Sequence, residues 1–367
     1  MGKFKKVFRG LPDPRADNAQ HELADILFIA LAALLRGAET SSDMAEFGLA
    51  KEEFFRQILV LKHGIPSHDT FSRVFRLLDP QAFAATFRQF MAAFAEANKL
   101  DLSGVVAIDG KALRGAFERG RQATPLHMVN VWAADARMVL AQRKAPGRNE
   151  VAGALELLGL LSLDGCIVTA DALHCHRAMA VGVLERGGDY VLALKENQSS
   201  LFAAVKRRFA RAGKRSVAER LELSTHDRRE HRRATVIRDT TLVVEHDFPG
   251  IAAVARITSR RRVHDGRAKP PVVRYFLLSQ YVPARTLLRI QRSHWTVENQ
   301  LHWVLDVVLD EDRSRTRKDN APENLAILRG FVLNILRSHP STTPMRRKIK
   351  RAGWDNAFLI ELLDHMR

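Results

Sequence analysis

The sequence predicts an α/β protein in three stretches: an all-α N-terminal region, an α/β core, and a β-rich segment set into that core. Three observations carry this. Apolar residues recur at three-and-four spacing through the first hundred positions, the period of buried helix faces. From Leu102 short β-branched runs take over, and at Arg285 the helical period returns. A chain of 367 residues, 46% hydrophobic, is long enough for one large core or two of medium size.

Charge narrows the partners. A formal net charge of +17 and a pI near 10.4 attract polyanions, either nucleic acid or an anionic membrane surface. A membrane span is not expected, because the most apolar run, Ile26 to Leu35, falls short of roughly 20 residues and is bounded by Asp25 and Arg36. The basic start (Lys3, Lys5, Lys6, Arg9) runs into Pro12, Asp13 and Pro14 where a secretory signal needs an apolar stretch, so a cytoplasmic location is expected. Cys166 and Cys175 fit reduced buried thiols rather than a disulfide framework.

In the N-terminal region, residues 1–100, Ala19 to Leu35 reads as an amphipathic helix ended by Gly37. Thr40 to Phe47 and Glu52 to Leu61 read as short helices, and Gln81 to Lys99 as a longer one with Phe83, Phe87, Phe90 and Phe94 toward the core. Ser67 is placed to cap a helix through Leu78 that buries Phe71, Val74 and Phe75 and offers Arg73 and Arg76 outward. Helix, turn and basic helix match a DNA-binding helix-turn-helix and equally match a plain helical bundle.

The core begins at 101. Val105 to Ile108 is a strand leading to a lone carboxylate, Asp109, with Gly110 and Lys111 directly after it. His127 to Ala133 and Met138 to Arg143 make two more strands, joined by a turn at Asp135 to Arg137. Glu150 to Leu161 is a helix, Cys166 to Ala170 a fourth strand ending at Asp171, His174 to Arg186 a helix, and Tyr190 to Leu194 a fifth strand. Three strands, helix, strand, helix, strand is the order of a ribonuclease H-like fold. Its chemistry belongs at the ends of the first and fourth strands, which are Asp109 and Asp171.

Residues 201–284 are dense in arginine, with strand-like runs at Thr241 to Val244, Ala252 to Ile257 and Val272 to Leu278, and read as an inserted β-rich basic module. Its arginines line a nucleic-acid channel or form the solvated face of strands. Residues 285–340 return to helix. There Val297, Leu301, Val304 and Val308 make a buried stripe, with His294, Glu298, His302 and Leu305 on the adjoining face. Arg313, Arg315 and Arg317 alternate, so an extended chain points all three one way. Asn320 to Glu323 reads as a capping box opening a last core helix, and 341–367 as a basic tail.

IDGKALR, IVTADALHCH and the long block HWTVENQLHWVLDVVLDEDRSRTRKDNAPENLAILR together resemble the DDE transposases of bacterial insertion sequences, in particular the group that includes the H-repeat-associated proteins. GLPDPR, GIPSHDTFSRVF, GRNEV and YVLALKENQ extend the resemblance over nearly the whole chain. It implies a catalytic triad of Asp109, Asp171 and Glu298 holding two Mg2+ ions, with Mn2+ able to substitute. It also implies an enzyme that cuts transposon ends and joins them to target DNA. Double-stranded DNA is then the partner, held by a homodimer in the DNA complex. Related transposases carry a tyrosine seven before the glutamate, an arginine four before and a lysine seven after; here Gln291, His294 and Leu305 stand there. Arg292 or His294 then takes over the phosphate contact, alongside Lys111, Arg114, Arg313, Arg315 and Arg317.

Three carboxylates suit such chemistry because hard oxygen ligands hold the cations that activate a nucleophile and stabilise the leaving oxygen. A zinc set from His174, Cys175 and His176, or from His294 and His302, fits poorly, the first too closely spaced and the second short of ligands. Two other readings stand beside the active enzyme: a catalytically inactive or domesticated DNA-binding relative, and another ribonuclease H-like nuclease or resolvase. The last leaves the long insertion and the C-terminal block unexplained.

Overall fold

Six helices precede the first strand in the computed structural model, which describes residues 2–97, 101–117, 125–211, 213, 215–223, 229–262 and 269–364. The helix Leu23–Leu34 is buried along its whole length. Its apolar neighbours Phe55, Phe71 and Phe87 join Leu325, Phe331 and Leu336 of the helix Ala321–Ser338 in one cluster. The segment read as a basic tail is corrected: it forms the helices Met345–Trp354 and Asn356–Asp364, and Ile349, Phe358, Leu359 and Leu362 pack into that same core. Ser67 caps the helix His68–Leu77 by accepting the Thr70 N–H, and Thr40 forms a capping box with Asp43. Arg73 is exposed, whereas Arg76 pairs with Asp319 at 2.6 Å and so docks this helix onto the C-terminal segment. No described helix is long and apolar enough to cross a membrane.

The strands are β1 (Gly104–Phe117), β2 (Pro125–Ala133), β3 (Met138–Lys144), β4 (Cys166–Ala170), β5 (Asp189–Leu194), β6 (Ser216–Leu223), β7 (Arg229–Arg238), β8 (Ala253–Arg262) and β9 (Val272–Leu278). They form one mixed nine-stranded sheet in the order β3-β2-β1-β4-β5-β9-β8-β7-β6. The segment 201–284 therefore continues the same sheet, with β9 pairing antiparallel to β5. Helices cover both faces. Leu157, Met179 and Val205 pack with Val106, Ile108 and Val168 on one side, and Leu287, Val297 and Leu301 pack with Ala107, Trp132 and Phe276 on the other.

Three local expectations are corrected. β1 does not stop at Ile108 but runs on to Phe117, because β2 pairs with it antiparallel as far as Leu113 after the parallel partner β4 has ended. Thr241 to Val244 is not a strand: Asp239 Oδ1 accepts the N–H groups of Thr241 and Leu242 and turns the chain into the helix Leu242–His246, which buries Leu242 and leaves Val244 exposed. The capping box at Asn320 is absent. Asn320 has helical backbone angles and its amide donates to the Leu78 carbonyl, while Glu323 accepts the Lys144 N–H.

Candidate active site

The last register pair between β1 and β4 is Ile108 with Ala170, so Asp109 and Asp171 are the next residues on two adjacent parallel strands. Strands so paired lie roughly 5 Å apart. Beyond that pair β4 gives way to a short 3-10 turn, Ala172–His174, in which the His174 N–H bonds the Asp171 carbonyl at 2.9 Å. Asp109 Oδ1 accepts the Gly110 N–H at 2.9 Å. Its side chain is 24% exposed, against 66% for Asp171. Burial pushes the Asp109 pKa up to about 7, and the negative charges of Asp171, Glu298 and Glu150 add to it.

Glu298 arrives from the other side of the cleft. The helix Ala284–His294 leads into a wider π-helical turn, Val297–His302, followed by the helix Trp303–Val307. Val297, Leu301 and Val304 bury against the sheet as their spacing predicts, and Val308 is half-buried. Trp132 of β2, fully buried, donates its Nε1–H to Thr296 Oγ1 at 2.9 Å and pins the chain one residue before the π turn. Glu298 is exposed and lines one cleft with Asp171, His294, Lys195 and Arg274. π turns recur at functional sites because they re-aim side chains that an α-helix would hold in register.

Two histidines flank the carboxylates. His294 Nε2 lies 3.8 Å from Asp171 Oδ1, and His302 Nδ1 lies 3.7 Å from Asp109 Oδ2. Burial lowers the pKa of both, that of His302 to about 4 with the Lys111 charge contributing, while at His294 the Asp171 charge works against the lowering.

The expected phosphate contact of Lys111 is corrected by its surroundings. It is buried, with Nζ 2.6 Å from Asp306 and 2.8 Å from Glu311, so its charge is committed inside the protein. Burial alone would lower its pKa, but Glu311 and Asp306 outweigh that and hold it above its usual value. Arg114 and Arg313 are largely exposed, each with a carboxylate oxygen 3.6 Å away, on Asp312 and Asp310 respectively. Arg292 and Arg315 are exposed as well. Arg317 is half-buried and donates to the Gly115 carbonyl at 2.9 Å, so the three alternating arginines do not share one direction. A 3-10 turn at Glu311–Arg313 breaks the extended geometry that would have aligned them.

Glu150 escaped the sequence reading. It opens the helix Glu150–Leu158, where the helix dipole favours a carboxylate, and accepts from His127 Nδ1 at 2.9 Å. Its carboxylate lies against the Cα of Gly110, in the space that a Cβ at that position would fill. GRNEV was the available signal, though only as a motif without a role. Lys195 and Arg274 were likewise missed as cleft residues.

The donor chemistry fits divalent metal. Asp109, Asp171 and Glu298 are oxygen donors whose mutual repulsion at Asp109 has no cation to relieve it, since Lys111 is turned to Asp306 and Glu311. Among the described residues no three His, Cys, Asp or Glu side chains close around one point.

Residues 101–335 match the family model described as "Transposase DDE domain", and residues 5–91 match one described as "DDE_Tnp_1-associated". The chain is 31% identical to the "H repeat-associated putative transposase YhhI" of Escherichia coli K12, over 96% of this chain and 95% of that protein. It is 40% identical to the "Uncharacterized protein in dhlA 3'region" of Xanthobacter autotrophicus, over 71% of this chain and 89% of that one. A shorter match, 41% over 17% of this chain and 76% of the relative, is to the "Inactive transposase YbfQ" of E. coli K12.

Proposed function

The chain belongs to the DDE transposase family, and on that premise we propose that it cuts the ends of a DNA element and joins them to target DNA on a ribonuclease H-like core. The carrying observation is the juxtaposition of Asp109 and Asp171 at the ends of paired parallel strands, with Glu298 lining the same cleft as Asp171. These three carboxylates would hold the divalent cations. Bound there, such cations supply the Lewis acidity that activates a water or 3′-hydroxyl and stabilises the leaving oxygen of a phosphodiester.

The chain's own residues do the rest. Lys195 and Arg274, in the cleft with Asp171 and Glu298, bring positive charge to a phosphate backbone at the carboxylates. Arg114 on β1, and Arg313 and Arg315 in the segment after Glu298, add exposed positive charge for the duplex. Lys111 is a positioning residue, tying the strand of Asp109 to the segment that follows Glu298. The N-terminal helices, with Arg73 outward, serve end recognition, and a homodimer holds two ends together.

The test is incubation of the protein with duplex DNA carrying its own element's ends, with Mg2+ or Mn2+ and with chelator. Metal-dependent scission at the element boundary supports the reading. Ends that are bound but left intact in metal identify the catalytically inactive DNA-binding relative instead.

A further inference from the structure

We propose that Asp171 and His294 form a mixed oxygen–nitrogen seat for a divalent cation, a seat that takes Mn2+ in preference to Mg2+. The inference rests on reading Asp109, Asp171 and Glu298 as metal-holding carboxylates and adds a nitrogen donor to them.

The tautomer of His294 carries the argument. Thr169, fully buried on β4, donates its hydroxyl hydrogen to the Val106 carbonyl at 3.3 Å. The same oxygen lies 3.0 Å from His294 Nδ1, and the one assignment that makes both contacts hydrogen bonds has it accept the Nδ1 hydrogen. In that assignment Nδ1 bears the ring hydrogen, and the Nε2 lone pair faces Asp171 Oδ1 at 3.8 Å. Two electron-pair donors confront each other with no hydrogen between them. Metal–ligand bonds of about 2.1 Å let one ion reach both atoms across any gap up to about 4.2 Å. The Thr169 contact on the far ring nitrogen is the support that metal-bound imidazoles ordinarily have.

His302 shows the opposite arrangement and so serves as the comparison. Asn130 Oδ1 accepts from Gln142 Nε2 at 2.7 Å, which leaves the Asn130 amide hydrogens toward His302 Nε2 at 3.4 Å. The lone pair of His302 is thereby turned to Asn130, and an N–H faces Asp109. Only His294 can ligate without turning its ring. Glu298 lines the cleft of Asp171 and His294 and offers a further oxygen. A nitrogen ligand shifts preference away from Mg2+, which favours oxygen and holds its waters, toward Mn2+, which accepts both donors.

The experiment adds Mn2+ to the full-length, metal-free protein, with and without an end duplex, and records electron spin-echo modulation. A directly bound nitrogen is expected in the parent protein and in His302→Ala, and is lost in His294→Ala. Mg2+ competition should show Mn2+ held at least about tenfold more tightly, with His294→Ala erasing about that factor. Bound Mn2+ without nitrogen coupling, or coupling that survives His294→Ala, overturns the proposal while leaving the carboxylate reading intact. Failure to hold Mn2+ in either condition overturns both. The measurement on the parent protein decides the nitrogen question even where a variant fails to fold.

Discussion

Lys111 Nζ and Glu311 Oε2, on residues 200 positions apart, meet at 2.8 Å in the interior, with side chains 6% and 1% exposed. The pair joins β1, two residues past Asp109, to the turn that follows the helix of Glu298. Gly115 permits the same approach further along, because a Cβ there would overlap the backbone carbonyl of Ser314. Replacing Lys111 by methionine strands Glu311 and Asp306 without their cation and should cost about 3–5 kcal/mol in urea unfolding. Adding Glu311→Gln to that variant should recover part of the loss. A single-variant loss under about 1 kcal/mol, in the range of exposed pairs, would refute the interior latch.

Asp109 should make the metal-free protein less stable as pH rises. Its folded pKa of about 7 lies above the ordinary carboxyl value of 3.8, so the folded state binds more protons between those values. Stability is therefore lost as pH climbs through that window, and the loss is complete above about 7. At roughly 1.4 kcal/mol per unit the whole effect is on the order of 4 kcal/mol. Asp109→Asn in chelator should melt higher than the parent at pH 8 and converge with it near pH 4. Equal melting at pH 8 would show that neither burial nor the neighbouring carboxylates hold Asp109 above its ordinary value.

Gly110→Ala tests the fourth carboxylate. The added methyl would meet the far end of the Glu150 side chain and displace its carboxylate from beside His127, at a cost near the low end of overpacking, about 1 kcal/mol. Stability should return when Glu150→Ala is added. If the double variant is as unstable as the single, the clash lies elsewhere.

Much of this was legible in the residues. The β-branched runs before Asp109 and Asp171 are buried on both sheet faces, and such runs announce themselves by composition. Glu298 was visible only in company with its polar neighbours and through the family resemblance, since one exposed glutamate on a helix has no local signature. The fate of Lys111 was not readable, because its partners Asp306 and Glu311 reach it only through the fold. Strand β6 escaped because half of its side chains are polar and its Leu221 is exposed, as suits a sheet edge. The π turn was hidden for a different reason: the apolar stripe through Val297, Leu301 and Val304 satisfies an ordinary helix equally well.

DNA affinity should fall steeply with salt. Six phosphate contacts would give a logarithmic slope of roughly −5, and removing Arg313 or Arg315 should reduce its magnitude by about 1 each. Lys111→Met should leave the slope unchanged, because its charge is spent on Asp306 and Glu311. A flat salt response in the parent would remove the nucleic-acid reading, and a slope altered by Lys111→Met would return that residue to the DNA surface.

The central claim is that Asp109, Asp171 and Glu298 act as one unit. The direct measurement is cleavage of end-bearing DNA in Mg2+ and in Mn2+ by Glu298→Gln, beside its binding to the same DNA in chelator. Loss of cleavage with near-parental binding is predicted, and the double variant Asp109→Asn with Glu298→Gln should be little worse than either single one. Parental cleavage by Glu298→Gln in either metal would contradict the account, placing the third carboxylate elsewhere than on the π turn.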